Sequence, residues 1–420
     1  MREVQQLFEK ALGLGPPWTV IRSQFDPVAQ RLDLFIDFER GARFPCPDCG
    51  AAGCTVHDSE DKEWRHLNFL QYPAYLHARV PRVRCPRDGV RQVDLPWARA
   101  GSGFTHLFEG LVMTLAAEMP VRAIARLLGE HDTRIWRVVH FHIERARASE
   151  RFASVRHVGV DETSRRRGHH YAALFCDLER SKLLFATEGK DAATFVRFKA
   201  DLIAHGGEPT QLRELCMDMS PAFIAGAAEH FAQVPITFDR YHLMASLNFA
   251  VDQVRRADQA PAPRVPLRRL RQLRRPLPSA TLKHSRFLWL RDPRRLSELQ
   301  RTRLERLAQL HQRTGRAYRL KLAFAELYTT APEEAEAHLR RWYAWAIRSR
   351  LQPIVAFART VKEHWDGVLR WFTSRVNNGI LEAIGSLIQA AKRRARGYRT
   401  TENLIAIAYL VAGKLDFAST

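Results

Sequence analysis

The chain is predicted to fold as an α/β core interrupted by an all-helical insertion, behind two small N-terminal modules. Three observations predict it. Between residues 155 and 250, strand-like apolar runs first follow one another and then alternate with helical periods. From 252 to 375 that alternation gives way to helical patterning, carrying Trp342, Trp345, Trp365 and Trp371. Four of the six cysteines, Cys46, Cys49, Cys54 and Cys85, fall in the first hundred residues.

At ~100–200 residues per domain, 420 residues make two to four domains. A hydrophobic content of 46% supports sizeable cores. The 66 Lys and Arg against 45 Asp and Glu leave a net charge of +21, which calls for a polyanionic partner, nucleic acid first. An anionic membrane surface is the competitor, but no apolar run reaches the ~18 residues of a spanning helix. The opening Met1-Arg2-Glu3-Val4-Gln5-Gln6 lacks the apolar core of a signal peptide, so a cytoplasmic location is expected. In a reducing compartment a local cysteine cluster reads as a metal site rather than a disulfide set. Cys176 and Cys216 lie in strand-like runs and read as small buried hydrophobes.

Taken in order, residues 1–40 predict a short helix and then a strand over Arg31–Phe38, where apolar and polar residues alternate. Cys46-Pro47-Asp48-Cys49-Gly50 is a knuckle whose turn aims two thiolates at one tetrahedral ion. Cys85-Pro86-Arg87-Asp88-Gly89 repeats it with Asp88 where a second Cys or His would stand. A zinc ribbon with Cys46, Cys49, Cys85 and Asp88 is expected, Cys54 or His57 being the alternative fourth ligand. The competing reading is a degenerate knuckle that binds no metal. The basic strand Arg79–Arg84 between the knuckles suits phosphate contacts. Thr105 is placed to cap a first helix, Pro120 ends it, and Val121–Leu128 forms a second. After the Gly129-Glu130-His131 turn, a third helix runs from Arg134 to Arg147. This is a helix-turn-helix pattern, in which Thr133, Arg134 and Arg137 would meet DNA. An ordinary three-helix packing unit gives the same pattern.

In the core, a first strand runs into Asp161, a second covers 169–178 and a third 183–187. A helix opens at Asp191 and ends at Gly206-Gly207. A fourth strand ends at Asp218, and Ser220-Pro221 starts a helix. Val234–Asp239 is the fifth strand. Hairpin strands followed by alternating helix and strand are the order expected of a ribonuclease-H-like core. Residues 257–279 are rich in Pro and Arg, with six Arg and no acid between 264 and 275; of these Arg268, Arg269 and Arg271 are expected on phosphates. The insertion's Trp residues read as core, with one available to stack on an unpaired base. The end returns to Ile380-Leu381-Glu382-Ala383-Ile384 and a basic run with Lys392, Arg393, Arg394 and Arg396 that also suits DNA. The boundaries expected are 1–100, 101–150, 151–250, 251–375 and 376–420.

Mg²⁺ takes hard oxygen ligands and keeps positions open for substrate phosphates. Two such ions can activate an attacking oxygen and stabilise a leaving one in phosphodiester chemistry. Asp161 and Asp218 at strand ends and Glu382 on a late helix are expected to hold them. Glu333, Glu334 and Glu336 crowd a helix start and are explained by its dipole. Glu363 and Glu402 have their own local explanations, whereas Glu382 stands among apolar residues. Asp239 and His242, in Phe238-Asp239-Arg240-Tyr241-His242, are either accessory groups orienting a phosphate or a pair capping the next helix. No Gly-rich phosphate loop is present, so ATP use is not indicated.

These motifs resemble, over nearly the whole length, a bacterial insertion-sequence DDE transposase of the ISL-three family. The resemblance rests on Cys46-Pro-Asp-Cys49-Gly and Cys85-Pro, Val160-Asp161-Glu162, Asp218-Met219-Ser220, Phe238–His242, and Asn378–Glu382 leading into Lys392–Tyr398. Asp88 is the departure. The family implies a ribonuclease-H-like domain with a helical insertion, binding to terminal inverted repeats, and metal-dependent cutting and joining of DNA. Mg²⁺ or Mn²⁺ and Zn²⁺ are the expected cofactors. Double-stranded DNA, both element ends and target, is the expected partner of a homo-oligomer, with no membrane involved. Two rivals stay open: a non-catalytic DNA-binding regulator or domesticated transposase, and a structure-specific nuclease with the same core.

Overall fold

The computed structural model describes residues 2–166, 170–259, 282–375 and 379–417. Arg268, Arg269 and Arg271, with the rest of the Arg-rich stretch, lie outside the described residues, as do Asn377 and Asn378. The chain divides into two compact units, Met1–Glu144 and Arg145–Thr420. Among the described residues no helix is long and apolar enough to cross a membrane.

The first unit opens with α1 (Arg2–Leu12), then β1 (Trp18–Asp26), β2 (Arg31–Phe38) and β3 (Arg43–Phe44). The long hairpin β4 (Cys54–Phe69) and β5 (Tyr72–Cys85) follows, and then β6 (Gly89–Gln92). The sheet runs β1-β2-β5-β4-β3, with β6 paired to β5. Its core holds Trp18, Leu34, Trp64, Leu76 and Trp97. An open sheet edge invites pairing with another chain. Here α1 covers it: Gln5 Nε2 donates to the Ile21 carbonyl at 2.8 Å, and Glu9 Oε1 accepts the Val20 N–H at 2.8 Å. The Arg31–Phe38 strand is where alternation places it; β1 and β4 go beyond the sequence expectation. The middle of β4, Asp58–Glu63, is almost wholly polar and shows no buried stripe. It is a strand through its ladder with β5 and through ion pairs such as Arg82–Asp58.

Three helices follow: α2 (His106–Glu118), α3 (Val121–Leu128) and α4 (Asp132–Ala148). Thr105 caps α2, its hydroxyl accepting the Phe108 N–H at 3.3 Å. Gly129 ends α3 at φ +68°, a left-handed conformation that glycine adopts without strain. Helix α4 begins at Asp132, so Thr133 lies within its first turn rather than before it.

The second unit carries β7 (His157–Arg166), β8 (His170–Asp177), β9 (Lys182–Glu188), β10 (Glu214–Met217) and β11 (Ile236–Phe238). The order is β11-β10-β7-β8-β9. Strands β7, β8 and β9 are antiparallel neighbours, while β10 lies parallel to both β7 and β11. Helices α5 (Ala193–Ala204) and α6 (Pro221–His230) separate these strands. Phe175 stacks on Phe198 at 4.3 Å, with Phe195 and Phe231 alongside. Helix α7 (Arg240–Gln259) leads into the helical segment: α8 (Arg286–Leu290), α9 (Glu298–Leu310), α10 (Gln312–Glu326), α11 (Pro332–Ile347), α12 (Gln352–Glu363) and α13 (Trp365–Ser374). Trp289 and Trp342 are core here, Trp365 and Trp371 pack at its margin, and Trp345 is 39% exposed. Helix α13 returns to the sheet so closely that a Cβ on Gly367 would lie 2.4 Å from the Phe238 ring. Its Arg370 pairs with buried Glu214 at 3.0 Å. The chain then forms α14 (Gly379–Ala395) and α15 (Thr401–Ala412).

One expectation is corrected. Strand β7 does not end on Asp161 but continues to Arg166, paired with β8. On its other side β10 covers only His157–Gly159. Asp161 therefore sits where that second side of β7 has just lost its neighbour.

Candidate active site

Helix α14 lies along β7 in a fixed register. Leu381 packs on Gly159, where a Cβ would come within 2.8 Å of the leucine methyls. Gly385 faces Asp161, its ideal Cβ position 3.9 Å from Oδ2. Gln389 Nε2 donates to Thr163 Oγ1 at 2.7 Å, and Lys392 Nζ donates to the Ser164 carbonyl. Four helical residues rise ~6 Å and two strand residues ~6.6 Å, so positions 381, 385 and 389 keep step with 159, 161 and 163. Glycine at 159 lets Leu381 pack directly on the β7 backbone.

Asp161 Oδ1 accepts the Glu162 N–H at 2.7 Å, leaving Oδ2 on the helix side. Burial pushes its carboxyl up to about 6; the Glu162 N–H and His242 oppose this, and the charges of Asp218 and Glu162 add to it. Asp218 follows the end of β10 and accepts the Ser220 N–H at 3.0 Å. Asp239 follows β11; it is buried, accepts the Tyr241 N–H at 2.8 Å and lies 3.5 Å from His242 Nε2. It thus caps α7 and also joins the acidic edge. Glu382, in the first turn of α14, is exposed rather than enclosed by its apolar sequence neighbours. Leu381, Ile384 and Ile388 are buried, while Glu382 lies off that face and lines a cleft of ≈ 500 Å³. Asp239, Tyr241 and Trp371 share the lining. The acids do not converge to within 4.8 Å of one another as the cysteine group does. They stand at one edge on four different elements, an all-oxygen donor set suited to a hard divalent cation. Sequence reasoning missed Gly385, Gln389 and the cleft; a glycine inside an otherwise good helix was the available signal.

In the first unit the ligand atoms of Cys46, Cys49, Cys85 and Asp88 all lie within 4.8 Å of one another. Cys46 Sγ and Cys85 Sγ are 3.3 and 3.4 Å from Asp88 Oδ2, and Cys49 Sγ is 3.5 Å from Cys85 Sγ. Zn–S bonds of 2.3 Å and Zn–O bonds near 2.1 Å imply tetrahedral edges of roughly 3.5–3.8 Å, so the set fits zinc. Hydrogen bonds from the thiols of Cys49, Cys46 and Cys85 hold the Asp88 carboxyl below its usual range. Cys54 instead donates to the Ala51 carbonyl, and His57 meets Arg84; neither joins the group. Asp33, Glu63 and His77 also converge, but Arg31 sits among them and pairs with both acids.

Of the helix-turn-helix residues, Thr133 and Arg137 are exposed. Arg134 is engaged with Glu130 at 2.5 Å and stacked over Phe104 at 4.3 Å. In the late basic run Lys392 is committed to β7, whereas Arg393, Arg394 and Arg396 are exposed. Buried Cys176 and Cys216 carry thiols pushed up by burial, as small core residues do.

Residues 158–408 match the DDE family of ISL3 type described as "Transposase". Residues 93–143 match the helix-turn-helix domain of transposase family ISL3, and residues 42–88 the zinc-finger of transposase IS204/IS1001/IS1096/IS1165. The transposase for insertion sequence element IS1557 of Mycobacterium tuberculosis is 29% identical over 366 residues, spanning 83% of this chain and 81% of its own. The transposase for insertion sequence element IS1001 of Bordetella parapertussis is 28% identical over 365 residues, spanning 85% and 86%.

Proposed function

The chain belongs to the ISL3 family of DDE transposases, and from that footing we propose that Asp161, Asp218 and Glu382 form the carboxylate set that cuts and joins its element's ends. The observation that carries this is the register of α14 on β7, which sets Gly385 against Asp161 Oδ2 and turns Glu382 into the adjoining cleft. The sheet order, an antiparallel β7-β8-β9 meander extended by parallel β10 and β11, supports a ribonuclease-H-like core. Mg²⁺ or Mn²⁺ held by these acids would activate the attacking oxygen and stabilise the leaving one. Gln389 and Lys392 keep α14 in step with β7. Asp239 fixes the start of α7 and holds His242 beside Asp161, where it favours the ionised carboxylate and suits a scissile phosphate. Cys46, Cys49, Cys85 and Asp88 would hold a structural Zn²⁺ that shapes the ribbon. Exposed Thr133 and Arg137 would contact the terminal inverted repeats, with Arg134 held by Glu130 and Phe104, and a homo-oligomer would bring two element ends together. The family assignment disfavours a non-catalytic regulator or a simple nuclease.

The test incubates purified protein and Mg²⁺ with duplexes carrying the inverted repeats that flank its gene. Nicking and strand transfer are expected from the parental protein. Asp161→Asn, Asp218→Asn and Glu382→Gln should bind ends and cut none. Parental-rate cutting by Glu382→Gln would remove it from the set, and Glu363, exposed at the end of α12, would be next in line.

A further inference from the structure

The cleft beside the acidic edge is not explained by holding cations. Asp239 and Glu382 form one part of its wall; Phe238, Tyr241, Met244 and Trp371 form another. Tyr241 is 59% exposed on the first turn of α7, an aromatic face left open to water next to buried Asp239. Trp371 is half-buried, in edge contact with Tyr328 at 5.2 Å. Tyr328 is itself buried, and among the described residues its hydroxyl has no hydrogen-bond partner, a costly arrangement for a phenol. Two guanidinium groups rest on these rings: Arg375 over Trp371 at 4.8 Å and Arg240 over Tyr328 at 4.9 Å. Both arginines also line the cleft.

Flat aromatic faces and cations in a small cavity are the chemistry that recognises an unpaired base with its flanking phosphates. The ≈ 500 Å³ volume lies within the roughly 300–1,000 Å³ of small-ligand sites. The position supplies the reason. A phosphodiester inside a stacked duplex reaches recessed carboxylates more readily once a neighbouring nucleotide has left the stack. Granted the transposase reading above, we propose that this cleft receives one unpaired nucleobase of the element-end DNA, turned out of the duplex beside the scissile phosphate. Trp371 and Tyr241 supply stacking faces, and Arg240 and Arg375 hold the phosphates on either side.

The experiment compares parental protein, Trp371→Ala and Tyr241→Ala on inverted-repeat duplexes, unmodified or made abasic at each position around the cleavage site in turn. Both variants should cut unmodified ends roughly ten-fold more slowly, as expected for one lost stacking contact. Both should regain near-parental rates on ends abasic at one particular position, because a missing base costs nothing to turn out. Tyr241 is exposed, so its variant separates this role from packing. Unchanged rates in both variants would overturn the inference. So would slow cutting that no abasic position rescues, which would point to a structural role or to another occupant, such as a side chain of a second copy. A parental protein that does not cut unmodified ends would sink the transposase reading itself. Parental cutting without position-specific rescue sinks only the base in the cleft.

Discussion

Burial of the Asp161 carboxyl costs stability once it ionises, a cost that a cation bound at the proposed site would offset. The carboxyl is pushed up to about 6 chiefly by burial. A raised folded-state value contributes stability that is fully present below the unfolded value near 4 and is lost as pH rises through about 6. Asp161→Asn should therefore stabilise the Mg²⁺-free protein at pH 8, by on the order of 1–3 kcal/mol, and leave it unchanged at pH 3. Chemical denaturation at the two pH values checks this; equal stability at pH 8 would mean the charge is well solvated. Gly385 makes the complementary point. Its ideal Cβ lies 3.9 Å from Asp161 Oδ2, an ordinary contact. Gly385→Ala should cut at close to the parental rate and gain roughly 0.5–1 kcal/mol of helix stability. Gly385→Leu would extend over Asp161 and should abolish cutting while leaving end binding intact. Strand patterning alone pointed to Asp161 and Asp218 as acids on neighbouring strands. For Glu382 the sequence misled on environment: apolar neighbours one and two residues away say little about a helical side chain pointing about 100° per residue off them.

At the scale of elements, what was legible follows from periodicity. Helices α2 and α3 and the Thr105 cap were readable because a single face is buried or a single donor needs an acceptor, and strands β8 and β10 because they are short continuous apolar runs buried on both faces. Strand β4 was not, because its middle is held by its partner and by cross-strand ion pairs instead of by a buried stripe. The course of β7 beyond Asp161 was hidden for a similar reason: that part is held by β8. The end of β4 meets α2 through His66, whose Nδ1 lies 2.9 Å from Thr105 Oγ1, the cap of α2. Burial, with help from the Arg65 charge, pushes the His66 imidazole down to about 4. A depressed folded-state value contributes stability present above about 6.5 and lost as pH falls through about 4. The parental protein should thus lose up to roughly 3 kcal/mol between those limits relative to His66→Gln, which can keep the hydrogen bond but cannot titrate. Parallel acid-denaturation curves for the two proteins would show that His66 takes up its proton as readily in the folded protein as in the unfolded chain.

At the scale of the whole molecule, the charge excess of +21 is unevenly employed. On β2, β4 and β5 many arginines are already matched: Arg31 with Asp33 and Glu63, Arg79 with Asp37, Arg82 with Asp58. Lys392 is spent on β7 and Arg134 on Glu130, so neither is a free cation for phosphate. The long-range attraction for DNA must come from cations without such partners. The six Arg between 264 and 275 have no acid within their own stretch, so they are the leading candidates. Each phosphate neutralised on duplex DNA releases condensed counterions and adds about −0.9 to the slope of log affinity against log salt. Replacing Arg268, Arg269 and Arg271 together by Gln should flatten that slope by about 2.7 if all three contact phosphate. Because phosphates carry no sequence, binding should weaken equally on inverted-repeat and unrelated duplexes. Arg137→Ala is the opposite control: a base-reading arginine should cost about 1–3 kcal/mol on the inverted repeat and much less elsewhere. Salt titrations on both duplexes separate the two. A triple variant with an unaltered slope would show that this stretch does not meet DNA, and the attraction would then fall to exposed arginines such as Arg393 in the last turn of α14 and Arg396 just after it.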